Sequence, residues 1–254
     1  MLLHITDKCT MNCPHCLGDY NENGEHMTEQ VFRDSIKFIL NTNTIVHIAL
    51  TGGEPTEHPD FVKFMDILFD IMDNTPCTLG MPRLVTITTN GFWCLTHPDE
   101  ARRIANGSKT VHIEWQVSAD KRYYPTRLDV DNPLFKEERF TLCDDCVTHI
   151  YPQGRALDNK MDYIAKAPKC FNIRSIVKSN TSLRDAVTAL LMKGYTCTPS
   201  IGINGEIKLG ESRLCPNCSS IYDNISTIEE KIRNFHCHKC EFLLSQEMID
   251  YINS

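Results

Sequence analysis

Leu2-Leu3-His4-Ile5-Thr6-Asp7-Lys8-Cys9-Thr10-Met11-Asn12-Cys13-Pro14-His15-Cys16 sets a short apolar run just ahead of three cysteines. Leu2 to Ile5 reads as a strand. The C-x3-C-x2-C run then lies on the loop after a first strand, where barrel and open-sheet α/β proteins place their chemistry. Three thiolates at this spacing can wrap one corner of a cubane cluster and ligate three of its four irons. The fourth iron is left open to bind a further molecule. Zinc usually wants four ligands, and a C-x3-C step is unusual for a zinc knuckle. Disulfides do not suit a chain without a secretory signature.

Bulk properties narrow the classes. The 254 residues suffice for one large domain, or a domain with a small appendage, and 41% hydrophobic content supports an ordinary core. A net charge of −7 gives no general basic footprint, so no nucleic-acid partner is expected. The amino end lacks a charged region followed by an apolar one, and no apolar run approaches a membrane span. A cytoplasmic protein without membrane association is expected. The 13 cysteines then read as metal ligands. Three lie in the first motif, Cys77 and Cys94 are isolated and read as core thiols, and eight fall between Cys143 and Cys240.

Strand-like and helical patterns alternate in the first half. Ile45 to Leu50, Leu84 to Thr88 and Val111 to Val117 read as strands. Between them, Thr28 caps a helix carrying Val31, Phe32, Ile36, Ile39 and Leu40, and a second helix starts near Pro59. Thr96 with Asp99 forms a capping-box pattern for a third. This order implies a parallel sheet. Along the fourth strand Val111, Ile113, Trp115 and Val117 alternate with His112, Glu114, Gln116 and Ser118. The apolar set is expected to face covering helices and the polar set a lumen that receives a ligand, with Glu114 placed to contact substrate. The other reading is an edge strand wetted on one face. The expected fold is a partial (β/α) TIM-like barrel of five or six parallel strands over residues 1–156. A small cysteine-rich α+β extension over 157–254 follows. Residues 121–143 read as a long connection. Ile201 to Leu209 reads as a hairpin around Asn204-Gly205. Ser182 with Asp185 opens one later helix, and Ser226 with Glu229 caps another.

Three motifs complete the front. Thr51-Gly52-Gly53-Glu54-Pro55 follows the second strand, Thr88-Thr89-Asn90-Gly91 the third and Val117-Ser118-Ala119-Asp120 the fourth. With the cysteine triplet, over roughly residues 1 to 155, they resemble the radical S-adenosylmethionine (radical SAM) superfamily. The resemblance implies that Cys9, Cys13 and Cys16 hold a 4Fe–4S cluster and that His15 borders the adenine. It implies that Gly52, Gly53 and Glu54, within the motif closed by Pro55, cradle the methionine amino group. Glycines allow close backbone approach, and a carboxylate accepts from an ammonium. Ser118 looks like the contact to the methionine carboxylate or ribose, and Asn90 lies at the ribose side. Read singly, Gly-Gly and Asn90-Gly91 are turn signals and Ser118 a helix cap. The implied chemistry is reductive cleavage of S-adenosylmethionine to a 5′-deoxyadenosyl radical that takes a substrate hydrogen. A reducing partner such as flavodoxin or ferredoxin would supply the electron.

The back end resembles the SPASM/twitch extensions that hold auxiliary iron–sulfur clusters. Tyr151-Pro152-Gln153-Gly154-Arg155-Ala156, Cys197, the hairpin, Cys215, Cys218 and Asp223-Asn224-Ile225 carry that likeness. Gly210 stands where such extensions usually have cysteine, the dense late cysteines are missing after Cys240, and the Cys143/Cys146 pair is not standard. One auxiliary cluster is therefore expected, held by Cys197, Cys215 and Cys218 with Cys237, Cys240 or Cys170 as the fourth ligand. The competing reading is zinc, since Cys215-x2-Cys218 and Cys237-x2-Cys240 have a ribbon spacing. His236 and His238 read as solvated neighbours. Relatives with such extensions commonly modify peptides or proteins, so a peptide or protein substrate is expected. A small molecule, nucleoside or sugar, or activation of a glycyl radical partner, is the alternative. The chain opens directly on its first strand, which leaves no separate peptide-recognition domain ahead of it and counts against a dedicated peptide maturase. A non-enzymatic iron–sulfur or zinc protein would not need Gly52-Gly53-Glu54-Pro55.

Overall fold

The computed structural model describes residues 1–42, 47–76, 83–143, 154–161, 199–210 and 215–234. The barrel-like part runs β1 (Leu2–Thr6), α1 (Glu29–Thr42), β2 (His47–Gly52), α2 (Phe61–Asp73) and β3 (Arg83–Thr89). It continues through α3 (Phe92–Thr96), α4 (Pro98–Ala105), β4 (Val111–Ser118), β5 (Phe140–Cys143) and α5 (Gly154–Asp158). Beyond it lie β6 (Pro199–Ile201), β7 (Glu206–Leu209), β8 (Asn217–Ser220) and α6 (Ile225–Arg233). One eight-stranded sheet in the order β5-β4-β3-β2-β1-β6-β7-β8 joins them, parallel from β5 to β6 and antiparallel beyond. The sheet is not closed: β5 and β8 are its edges. It is the α/β partial barrel expected, with six parallel strands.

The period-2 pattern explains the layering. Val111, Ile113, Trp115 and Val117 are buried in the same core as Ile48, Leu50, Val85 and Ile87, while the alternate residues of β4 are half-buried. Helices supply the other side. Phe32 of α1 and Phe64 of α2 stack at 4.3 Å, and Trp115 is fully buried with its indole N–H donating to the Ala101 carbonyl at 3.3 Å. The opposite face is hydrogen-bonded across strands: His47 Nε2 lies 2.8 Å from Thr86 Oγ1, Thr141 donates to Glu114 at 3.0 Å, and His112 pairs with Arg139. One buried charge fixes the start of β3. The Arg83 guanidinium donates to the carbonyls of Met72 (2.7 Å), Thr75 (2.7 Å) and Pro76 (3.0 Å). It satisfies acceptors at the negative end of α2.

Several boundaries differ from expectation. β5 lies inside the stretch read as a connection; its burial comes from Phe140, whose ring parallels Trp115 at 6.0 Å, and the flanking charges hide so short a pattern. Thr96 does not open α4. Its hydroxyl turns back to the carbonyls of Phe92 and Trp93 and ends α3, and α4 starts at Pro98, whose fixed φ suits a first helical turn. Asn224, not Ser226, precedes α6. The hairpin forms with Gly205 at φ +79°, but its first strand is also a parallel neighbour of β1. Ile45, Cys77, the helix expected after Ser182, and Cys146, Cys170, Cys197, His236, Cys237, His238 and Cys240 lie outside the described residues.

Candidate functional site

The cysteine loop is held on three sides. From β2, the Gly53 and Glu54 amides donate to the carbonyls of Thr6 (2.7 Å) and Lys8 (2.8 Å), extending the β1–β2 pairing past the strand ends. A Cβ on Gly53 would run into the Lys8 carbonyl, and Gly52 adopts φ +120° with the Thr6 carbonyl in the same position. Both glycines are required by close backbone approach. Glu57 accepts from the Thr10 amide (3.1 Å) and hydroxyl (2.6 Å). On the third side stands α5. Arg155 donates from its backbone to Cys16 O (2.9 Å), from Nε to Cys13 O (2.9 Å) and from Nη1 to Tyr20 O (2.8 Å), and pairs with Asp19 at 3.2 Å. Asn159 adds a bond to Pro14 O at 3.0 Å.

These supports place Cys9, Cys13 and Cys16 on the wall of a cavity of about 230 Å³. Gly52, Gly53 and Glu54 line it from β2, Asn90 from β3 and Ser118 from β4, so the strand ends converge there. The three cysteines are unbridged, and burial pushes the thiols of Cys9 and Cys13 up to about 11 and about 12. A metal must therefore displace their protons. His15 lines the cavity with Nδ1 buried and unpartnered, its ring 5.4 Å from Tyr123 and 5.3 Å from Tyr124, and burial lowers its pKa.

Glu54 lies in the cavity wall but its carboxylate is turned into the protein. It accepts from Thr56 N (3.2 Å), Thr56 Oγ1 (2.6 Å), Thr89 Oγ1 (2.7 Å) and Asn90 N (2.6 Å). Burial raises its pKa while these bonds oppose the rise. The side chain thus locks the β2 and β3 ends together, leaving the backbone of 52–54 facing the cavity. Pro55 is buried at the start of a 3-10 turn and is not on the wall. Glu114 is also not on it; Glu114 sits farther down β4 with Thr141.

Sequence reasoning singled out no role for Tyr20, Tyr123 or Tyr124, nor for Arg155 as a brace. The signal for the tyrosines was Asp120-Lys121-Arg122. Asp120 is buried, accepts from Arg122 at 2.7 and 2.9 Å, and its carbonyl accepts from the amides of Tyr123 and Tyr124. In the back region Cys218 is half-buried, its thiol pushed up to about 12, and Cys215 Sγ lies against Gly210. Cys94 is a buried core thiol, as expected. Among the described residues no helix is long and apolar enough to cross a membrane.

A partial barrel with three unbridged thiols on the loop after β1, glycines after β2 and polar groups after β3 and β4 defines a class of cluster-bearing α/β enzymes. The chain belongs to the Radical SAM superfamily, whose family model it matches over residues 3–169. It is accordingly an enzyme whose cofactors are a 4Fe–4S cluster and S-adenosylmethionine. It is similar to the GTP 3′,8-cyclase of Photorhabdus laumondii subsp. laumondii, 36% identical over 93 residues, which are 35% of this chain and 26% of that protein. The chain spans about a quarter of the length of the curated relatives it matches. In fold it is similar to BtrN in complex with AdoMet and 2-DOIA (TM-score 0.59, 12% identity, 94% of this chain and 86% of that one). It is also similar to Streptococcus suis SuiB bound to precursor peptide SuiA (TM-score 0.55, 14% identity, 92% of this chain and 66% of that one).

The residues present fit both cofactors. Three thiols share one braced loop, the Gly52-Gly53 backbone lies where a side chain could not, and an orphaned imidazole nitrogen sits in the same cavity.

Proposed function

We propose that this enzyme reductively cleaves S-adenosylmethionine and abstracts a hydrogen atom from its substrate, a peptide or protein that it modifies. When bound, the cluster and S-adenosylmethionine supply one-electron cleavage of a carbon–sulfur bond and a 5′-deoxyadenosyl radical able to take that hydrogen. Cys9, Cys13 and Cys16 would hold the cluster. The backbone at Gly52, Gly53 and Glu54 would receive the methionine amino end, with the Glu54 carboxylate holding that backbone against Asn90. Ser118 and Asn90 would meet the methionine carboxylate and ribose, and His15 the adenine. Tyr124 lines that end of the cavity, and the rings of Tyr123 and Tyr124 both lie against His15.

The observation that carries the reading is the convergence of three thiols and two obligatory glycines on one cavity. The peptide substrate draws support from SuiB, crystallised with its precursor peptide. A small polar substrate is the second reading, favoured by the hydrogen-bonded polar face of β2 to β5. The test is anaerobic reconstitution with iron and sulfide, then dithionite and S-adenosylmethionine. Formation of 5′-deoxyadenosine supports the enzyme; an intact, reducible cluster that forms none favours an electron carrier.

The reading extends to the back. Cys197, Cys215 and Cys218, with Cys237, Cys240 or Cys170, would hold one auxiliary cluster, zinc being the alternative. Loss of one zinc with unchanged iron in a Cys237→Ala, Cys240→Ala double variant would decide for zinc. A cytoplasmic flavodoxin or ferredoxin would deliver the electron. Glu114 is proposed to meet substrate, and turnover and binding unchanged in Glu114→Gln would remove it from the site.

A further inference from the structure

A second cavity of about 410 Å³ lies between β1, residues 18–25 and the β6–β7 hairpin. It shares Gly18 and Tyr20 with the cavity of the three thiols. The neighbourhood is rich in carboxylates. Asp7, Asp19, Glu25 and Glu206 line it against one cation, Lys208. Two of the four are committed elsewhere: Asp19 pairs with Arg155 at 3.2 Å, and Glu206 with Lys208 at 3.7 Å and the Asn204 amide at 3.0 Å. Among the described residues the carboxylates of Asp7 and Glu25 carry no such bond, and Glu25, Glu206 and Lys208 all lie close enough to act electrostatically on Asp7.

A second, independent observation comes from His4. Its side chain is 7% exposed and lines the same cavity. Nδ1 lies 2.8 Å from the Tyr20 hydroxyl, and the opposite nitrogen, Nε2, is buried with no partner among the described residues. Burial lowers the His4 pKa to about 4, so the ring is neutral and Nε2 is a single unmet donor or acceptor. A buried polar atom left without a partner costs about 1–3 kcal/mol, so such atoms usually mark a missing group.

We infer that this cavity is one substrate-binding subsite and that it receives a protonated amine of the substrate, carried next to a hydroxyl or amide that pairs with His4 Nε2. The ammonium answers Asp7 and Glu25, and a neutral polar group answers the histidine. Lys208, held by Glu206, repels a second cation and limits the site to one. The Tyr20 wall then separates this amine from the reacting cavity by one side chain. The inference rests on the enzyme reading above. The amine can belong to a small free molecule or to a lysyl residue of a peptide.

The test is calorimetric titration of the full chain, reconstituted with its cluster, using 2-aminoethanol, Nα-acetyl-lysine methylamide and uncharged ethylene glycol. Saturable binding of an ammonium probe, with ethylene glycol at least about tenfold weaker, is the expected result, given the strength of charge-assisted bonds. Preference for 2-aminoethanol assigns a small-molecule source, and preference for the lysine derivative a peptide source. Glu25→Gln, on an exposed residue, and Asp7→Asn should each weaken the favoured probe by about tenfold at unchanged iron content. No saturable binding, equal binding of ethylene glycol, or affinity unchanged in both variants would overturn the inference. Formation of 5′-deoxyadenosine by the unsubstituted protein is scored separately. Its absence would sink the enzyme reading, while amine binding alone decides the subsite.

Discussion

The ends of β1 to β4 and the β6–β8 segment belong to one sheet but are built on different principles. In the front, β3 and β4 pair over seven residues, from Arg83–Val111 to Thr89–Val117, and helices bury one whole face. In the back, β6 meets β1 at only two positions, Leu2–Ser200 and Leu3–Ile201, and the hairpin strands have three to four residues. Long parallel strands fix their carboxyl ends rigidly, so the front can hold a cofactor through backbone groups. Strands this short bury little, and a cross-link through Cys215 and Cys218 would be worth most there. The front is thus a site made by a fold, and the back is a weakly paired segment that the proposed metal would cross-link.

The largest test of that contrast is a pair of cysteines. Cys13→Ala should remove 5′-deoxyadenosine formation altogether, a larger loss than the ~10–100-fold typical of residues that only support ligands. Cys215→Ala should leave uncoupled cleavage near its original rate while stopping product formation. Loss of cleavage in both, assayed anaerobically with iron content measured, would erase the division between the regions.

Next in size is Glu54→Ala. It strips the partners from Thr89 Oγ1, Thr56 Oγ1 and the Asn90 amide in a buried setting. The expected cost is about 2–4 kcal/mol of stability, read from denaturant unfolding, with S-adenosylmethionine affinity falling at the same time. Affinity lost with stability unchanged would mean that the carboxylate meets the cofactor directly. Arg155→Ala is smaller because it leaves every thiol in place. It should cost about ten- to a hundredfold in cluster retention, read as iron lost to a chelator over time. Arg155→Lys should recover little, since a single ammonium cannot reproduce the fork between Cys13 O and Asp19.

How much of this was legible in the sequence follows from range. The β4 alternation and the order of motifs gave the open parallel sheet, because period-2 burial is local. The braces were not legible: Arg155 reaches the cysteine loop across more than a hundred residues, and Glu54 reaches Asn90 across 36. Glu54 illustrates the limit. A carboxylate after two glycines suggested a partner for an ammonium, yet the buried hydroxyls of Thr56 and Thr89 claim its oxygens first. β6 was read only as a hairpin arm, because nothing within three residues announces a parallel neighbour nearly two hundred positions away. Asn224, an ordinary cap residue, was passed over for the Ser226–Glu229 pattern two residues too late.

The finest test compares two glycines. Gly53→Ala sets a methyl group against the Lys8 carbonyl, which is backbone and cannot move without shifting the cysteine loop. Gly210→Ala sets one 2.5 Å from Cys215 Sγ, the end of a side chain, at φ +122°. The second change should cost about 1–2 kcal/mol, chiefly backbone strain, because the end of a side chain yields more readily than backbone. A thermal melt should therefore fall by several degrees for a domain of this kind, with 5′-deoxyadenosine formation intact. In Gly53→Ala the order reverses: cleavage disappears before stability suffers. If Gly210→Ala also silenced cleavage, the Cys215 sulfur would have to be mechanically coupled to the front through β6 and β1, whose two pairing positions are the direct strand-to-strand link between them.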